Sequence, residues 1–453
     1  MEQELQDHAL DTAFRHARAY LASLGSRPVA AQADLDTLRR HLAKPLEDEG
    51  LDPATVLDEL VRDAEPGLIG SAGGRFFGWV IGGALPAALG AEWLTAAWDQ
   101  NAALTVMSPV AARSTEVAVG WIADLLGLPA GIPGAFVTGA TMANATCLAA
   151  ARDAVLTQNG WDAAAQGLVG APPVTVIVGA EVHATVRKAL GIVGLGRDRA
   201  TVLPVDRQGA IVARDLPALT GPAIVCLQAG NVNSGASDPF GPLIEWARGY
   251  SAWVHVDGAF GLWAAASPAM AGEVAGIGAA DSWATDCHKW LNTTYDCGLA
   301  LVFDPESLRR AMESSASYLP GADGEAMGMT PQSSQRARGV EVWATLAALG
   351  RNGVAELIDR GCRLARRFAA GMRSAGFEVL NDVVLNQVLV SFGSPQRTDS
   401  VIAAVQAEGT CWCGPTTWHG HRAMRVSVSG WSTTEDDIDR SVVAVRECAR
   451  GPT

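Results

Sequence analysis

Residues 252–261 read "AWVHVDGAFG". Trp253, His255 and Asp257 alternate with Val254 and Val256, so a strand carries the three on one face. Asp257 ends the run, and the small residues Gly258 and Ala259 follow it. Ligands of open parallel α/β sheets bind beyond the carboxyl ends of the strands. Small residues at such an end leave room for something flat above the acid. Asp257 could equally cap a helix, so the neighbouring segments have to decide.

Those neighbours repeat the pattern. "GAFVTG" (134–139) leads into a helical stretch from Ala143 to Thr157. "VTVIVGA" (174–180) precedes a helix near Val186; "AIVCLQAG" (223–230) and "LALVFD" (299–304) lie on either side of the opening stretch. Short apolar strands alternating with helices predict an α/β fold with a mainly parallel sheet covered on both faces. Residues 1–70 have the pattern of amphipathic helices separated by Pro28, Pro45 and Pro53. Beyond about 340, two helical stretches precede "EVLND", "NQVLVSFG" and "HRAMRVSVSGW", the pattern of a smaller α+β domain. The expected division is a helical segment at 1–70, a large domain at 71–335 and a small domain at 336–453.

Composition narrows the function. With 453 residues, 49% apolar and 18% charged, the chain is core-rich and globular. A net charge of -14 argues against a nucleic-acid surface. No apolar run reaches the roughly 20 residues a membrane helix needs. The N-terminus is charged and helical in pattern, unlike a signal peptide. Cysteines such as Cys147, Cys226 and Cys362 sit in apolar surroundings and read as buried thiols, so a reducing cytoplasm is expected.

Several segments could carry chemistry. In "SWATDCHKWLN" (282–292), Lys289 stands in a mostly small and apolar stretch, where its charge must be paired or lost. "VTGATMANATCLAAAR" (137–152) is a strand, a Gly/Ala/Thr turn and a helix start. Its first N–H groups and the Thr141 hydroxyl suit a phosphate, although a plain Thr N-cap reads the same. His183 in "GAEVHATVRKAL" (179–190) follows another strand, as a cap or as a functional group. In "CWCGPTTWHGHRAMRVSVS" (411–429) the Cys and His spacings miss those of zinc sites, and no metal is expected. Arg425 in that segment suits either a bidentate carboxylate contact or a surface ion pair.

In order and spacing these segments resemble the pyridoxal-phosphate-dependent group II amino acid decarboxylases, which include aromatic amino acid, histidine and glutamate decarboxylases. "DCHKWLN" is similar to the family's D-x-H-K-W. "HVDGAFG" resembles H-V-D-A-A, with Gly258 for the first Ala. "TGATMANATCLAAAR" resembles S-G-G-[ST]-E-A-N-L, with Met142 for Glu, and "VHATVRKAL" resembles H-x-S-x-x-K-A.

The resemblance implies fold type I, aspartate aminotransferase-like, with a seven-stranded sheet, and pyridoxal 5'-phosphate as cofactor. It implies a Schiff base on Lys289, Asp257 at the pyridinium nitrogen, Ala259 under the ring and His183 stacked over it. Ala140, Thr141 and His288 would hold the phosphate, Arg425 a substrate carboxylate, and Trp79 would line an aromatic pocket. The implied assembly is a homodimer with its site at the interface, Ser333 or Ser334 reaching the partner's phosphate.

The implied reaction releases CO2 from an L-amino acid to leave the amine; the apolar, Trp-rich neighbourhood of the motifs favours an aromatic or medium-sized apolar substrate over glutamate. Two departures bear on this. The family's A-T-x-G-T-T turn is "QAGNVNSGASD", with Asn231 and Val232 for two threonines. The segment after Tyr318 contains no tyrosine to protonate the product carbanion, which leaves Tyr318 or His183. Aldehyde-forming, aldol-type or aminotransferase chemistry, or a relative without catalysis, are the alternatives.

Overall fold

The structure is a computed structural model that describes residues 2–313 and 324–451. Helices α1 (Glu2–Ser23), α2 (Leu35–Leu42) and α3 (Pro53–Ala64) come first, followed by α4 (Pro86–Trp98) and α5 (Pro109–Leu125). The chain then alternates through β1 (Gly134–Val137), α6 (Ala140–Thr157), α7 (Ala163–Gln166), β2 (Thr175–Gly179), α8 (Ala184–Ile192) and β3 (Thr201–Leu203). It continues through β4 (Ala223–Gln228), α9 (Phe240–Arg248), β5 (Trp253–Asp257), β6 (Ser282–Asp286), β7 (Gly298–Val302) and α10 (Pro305–Met312). The last part comprises α11 (Arg338–Ser374), β8 (Glu378–Val379), β9 (Gln387–Ser391), α12 (Pro395–Glu408), β10 (Gly414–Trp418), β11 (His421–Ser427) and α13 (Glu435–Arg450).

Seven strands form one sheet in the order β1-β7-β6-β5-β4-β2-β3. Strand β7 runs antiparallel to both neighbours, and the other pairs are parallel. The central strands are buried along their whole length, as sheets covered on both faces require. One apolar cluster joins α5, α9 and part of α11 to one face, and a second joins α6, α8 and α10 to the other. Helix α6 is rich in alanine, so its backbone approaches the sheet closely and nearly all its side chains are buried. The four-stranded sheet β10-β11-β9-β8 packs with α11, α12 and α13 around a third cluster.

Three strands are not singled out by the apolar pattern. β3 is three residues long with two exposed. β6 reads Ser-Trp-Ala-Thr-Asp; Ser282 and Asp286 bond partners distant in the chain, while the buried Thr285 hydroxyl has none among the described residues. β10 is an edge strand of Gly, Pro and Thr ending in Trp418, within the segment weighed above for zinc. Cys411 and Cys413 are buried free thiols beside it. Among the described residues no cluster of His, Cys, Asp or Glu could hold a metal ion, and no helix is long and apolar enough to cross a membrane.

Candidate active site

The carboxyl ends of β2, β4, β5 and β6 meet at one narrow cleft, lined by Val80, His183, Gln228, Gly230, Val232, Asp257, Ala259, Phe260 and Lys289. Residues from five separated segments thus converge on one space. Asp257 closes β5, and its carboxylate accepts the Ala259 N–H at 3.2 Å. Burial pushes its carboxyl up from the ordinary range, while the charges of His183 and Lys289 and the Ala259 hydrogen bond push back. No cationic side chain among the described residues forms an ion pair with it. Gly258 departs from the family's Ala because a Cβ there would lie 2.6 Å from Leu262 Cβ.

Beneath the acid, His255 is fully buried between Asn144 Oδ1 at 2.8 Å and Ser282 Oγ at 2.9 Å. Burial lowers its pKa to about 3, so it is a neutral strut. Asn144 faces the Asp257 carboxylate with its Nδ2 but closes no well-aligned hydrogen bond.

His183 caps a helix at the edge of the cleft. It is the N-cap of α8, its Nδ1 accepting the Thr185 N–H at 3.3 Å, and it also lines the cleft. With Nδ1 committed, Nε2 carries the proton of the neutral ring. Burial lowers its pKa, and Asp257 partly offsets that.

Lys289 leaves the turn after β6 and lies 2.9 Å from Asp286 Oδ2. The same carboxylate accepts the Ala140 N–H at 2.6 Å and stands 3.5 Å from His288 Nε2. Asp286 therefore ties together three residues singled out in the sequence, although it was given no role of its own. The signal was present in D-x-H-K, which puts a carboxylate three residues before the lysine. His288 Nδ1 accepts the Cys297 N–H at 3.0 Å, and its ring stacks on Tyr295 at 4.3 Å. Burial lowers the His288 pKa. Burial and the Asp286 charge push Tyr295 up to about 12. Thr141 is half-buried in the first turn of α6, beside Ala140.

Arg425 reaches the cleft from β11. It is partly buried, donates to Val232 O at 3.3 Å, and has no carboxylate within ion-pair distance among the described residues. Burial lowers its pKa. Trp79 is 55% exposed and ends a stack in which Trp412 lies 4.9 Å from Trp79 and 5.2 Å from Phe76. The residue after Trp79, Val80, lines the cleft. Asn231, in a threonine position of the family's turn, is spent on the loop itself: its Oδ1 accepts Asn233 N at 2.8 Å and Ser234 N at 3.2 Å. Ser333 and Ser334 are exposed, next to Gln335, whose N–H and C=O bind Asn101 and Ala102. Tyr318 lies outside the described residues.

The donor set fits pyridoxal phosphate. A buried carboxylate without a cation in contact suits a protonated pyridine nitrogen, a primary amine stands in the same cleft, and a helix N-terminus and an imidazole stand beside that amine.

Comparison with known proteins agrees. The aromatic-L-amino-acid decarboxylase of Bacillus atrophaeus is 25% identical over 370 residues, covering 79% of this chain and 75% of the relative. The phenylacetaldehyde synthase of Arabidopsis thaliana is 26% identical over 442 residues, covering 90% and 89%. The crystal structure of Oryza sativa TDC with PLP and tryptamine has the same fold, with a TM-score of 0.92 at 22% identity over 99% of this chain and 98% of that one. The model of the pyridoxal-dependent decarboxylase conserved domain matches residues 38–393. The chain therefore belongs to the pyridoxal-dependent decarboxylase family, enzymes that work with pyridoxal 5'-phosphate.

Proposed function

We propose that this enzyme removes the α-carboxylate of an L-amino acid as CO2 and leaves the amine, and that its substrates carry aromatic or medium-sized apolar side chains. The observation that carries this reading is the placement of Arg425. A guanidinium without a carboxylate partner stands at the edge of the cleft that holds Lys289, Asp257 and His183. A desolvated cation without an anion is costly, and a substrate carboxylate satisfies it by a bidentate contact.

When bound, pyridoxal phosphate supplies a protonated ring that draws electrons from the carbon losing its carboxylate. Lys289 would hold it covalently, Asp257 at its ring nitrogen, and Ala259 and His183 on its two faces. Ala140, Thr141 and His288 would hold its phosphate. Because Thr185 occupies His183 Nδ1, proton delivery to the carbon goes through Nε2. Tyr318 is the second candidate donor. The stacked rings of Phe76, Trp412 and Trp79 give the neighbourhood of the cleft a flat apolar wall. With Arg425 taken by one substrate carboxylate and Lys289 by the cofactor, no further cationic side chain lines the cleft among the described residues for the second carboxylate of a glutamate.

We place the protein in a reducing cytoplasm, which its eight free cysteines support, and as a homodimer with Ser333 or Ser334 at the partner's phosphate.

A second reading, aldehyde formation, is favoured by one sequence feature, the absence of tyrosine from residues 319–337. A screen of the twenty amino acids, scored together for CO2, amine, aldehyde and ammonia, tests both. Amine and CO2 from aromatic substrates support the proposal. Aldehyde with ammonia supports the second reading, and product from glutamate alone refutes the pocket argument.

A further inference from the structure

The mechanism above leaves one polar group of the cleft unused. Gln228 closes β4 as Asp257 closes β5, and the two are paired in register in the parallel sheet. Neighbouring strands lie about 4.8 Å apart, so the amide stands beside the carboxylate. Gln228 is 8% exposed and lines the cleft. Its backbone is pinned, the N–H donating to Asp238 Oδ2 at 2.7 Å and the C=O accepting the Asp238 N–H at 2.9 Å. Its side-chain amide has no hydrogen bond to any described residue. The amide opens onto the cleft instead of being sealed in the core, and a strand-end amide held there without a protein partner is free to bond a group that enters the cleft. Asn144 Nδ2 cannot take that part, because it is sealed from solvent behind Asp257.

Elimination identifies the target. The polar points of pyridoxal phosphate are its ring nitrogen, its aldehyde, its phosphate and a phenolic oxygen on the ring. Asp257 answers the first, Lys289 the second, and Ala140, Thr141 and His288 the third. The phenolic oxygen has no assigned partner. The loop positions that hold threonines in related proteins hold Asn231, committed to its own loop, and the apolar Val232.

We infer that Gln228 is a cofactor-binding residue whose amide N–H donates to the phenolic oxygen of the bound ring. The inference rests on the cofactor placement proposed above. A donor there favours the ionised oxygen and so sets the pH at which the bound ring changes its visible absorption.

The test uses the full-length protein freed of cofactor and titrated with pyridoxal phosphate. Gln228→Leu should weaken the apparent Kd about tenfold, as for one hydrogen bond to a charged group. The pH midpoint of the visible band should rise by about one unit. With 3-deoxypyridoxal phosphate, which lacks the oxygen, the substitution should change the Kd less than twofold. Equal affinity and an unchanged band in Gln228→Leu overturn the inference, as does an equal loss with both compounds. A change confined to the KM for the amino acid also overturns it, because that assigns the amide to substrate. If Gln228→Leu does not fold, the unmodified protein decides: the 3-deoxy compound should bind about tenfold more weakly than pyridoxal phosphate, and equal binding overturns the inference. Borohydride reduction and peptide mapping separate the two failures. Without label on Lys289 the underlying placement fails; with label on Lys289 and Gln228→Leu unaffected, only the role of Gln228 fails.

Discussion

At the scale of single residues, the site depends on buried groups whose ionisation is set by their surroundings. Asp257→Asn keeps the shape of the acid but removes the charge proposed above to hold a proton on the ring nitrogen. It should lower kcat by about two to three orders of magnitude, the loss typical of a preorganised electrostatic partner. Steady-state kinetics on the best substrate checks this, and near-normal turnover would contradict the role. His255 makes a different prediction. Its folded pKa is about 3, below the unfolded value of about 6.5. Between those values the unfolded chain binds more protons, so stability rises with pH by up to about 1.4 kcal/mol per unit. That contribution is complete above about 6.5 and is lost as the pH falls toward 3. Urea unfolding from pH 4 to 8 should show the slope, and His255→Gln should reduce it.

At the scale of elements, the cleft depends on how closely β7 approaches the turn between β1 and α6. A Cβ on Gly298 would lie 2.4 Å from the Gly139 carbonyl carbon and 2.5 Å from Gly139 Cα. Neither is a flexible side chain, so Gly298→Ala must move the turn that carries Ala140. It should cost about 1–3 kcal/mol of stability, the range for overpacked cores, and weaken cofactor binding at least severalfold. Denaturant titration and cofactor titration on the same variant check the two effects. Gly241→Ala in α9 is the control: nothing lies within 4 Å of its Cβ position, so stability should hold or rise by up to about 1 kcal/mol.

At the scale of the whole molecule, the bundle of α4, α5 and α11 carries many exposed apolar side chains. Trp93, Leu94 and Trp98 on α4, Val106 and Met107 beyond it, and Trp121 on α5 are all at least 38% exposed, as is Trp343 on α11. Helices α4 and α5 both pack on α11, so these side chains belong to one bundle. Large exposed apolar surfaces mark interfaces, and a second copy of the chain is the proposed occupant. Light scattering should give twice the chain mass. Val106→Asp with Met107→Asp should halve that mass and lower activity together; an active monomer would remove the interface from the mechanism.

Much of this was legible without the fold. Strand-helix alternation is local, because side-chain periodicity and turn residues report the backbone's own geometry. It led to the parallel sheet, to Asp257 at a strand's end and to the neighbourhood of Lys289. His183 was legible only as a choice between cap and site; the structure shows the cap and sets the residue at the lining of the cleft. The partners of charged and polar groups were not legible, because they depend on segments far apart in the chain closing to hydrogen-bond distance. Asp286 meets Ala140 across 146 residues, Arg425 reaches Val232 across 193, and Trp412 stacks on Trp79 from a segment far along the chain. The unpaired amide of Gln228 belongs to the same class. Residue order along the chain determined which chemistry was available; only tertiary packing, by pairing some buried groups and leaving others open to the cleft, decided which of them could meet a ligand.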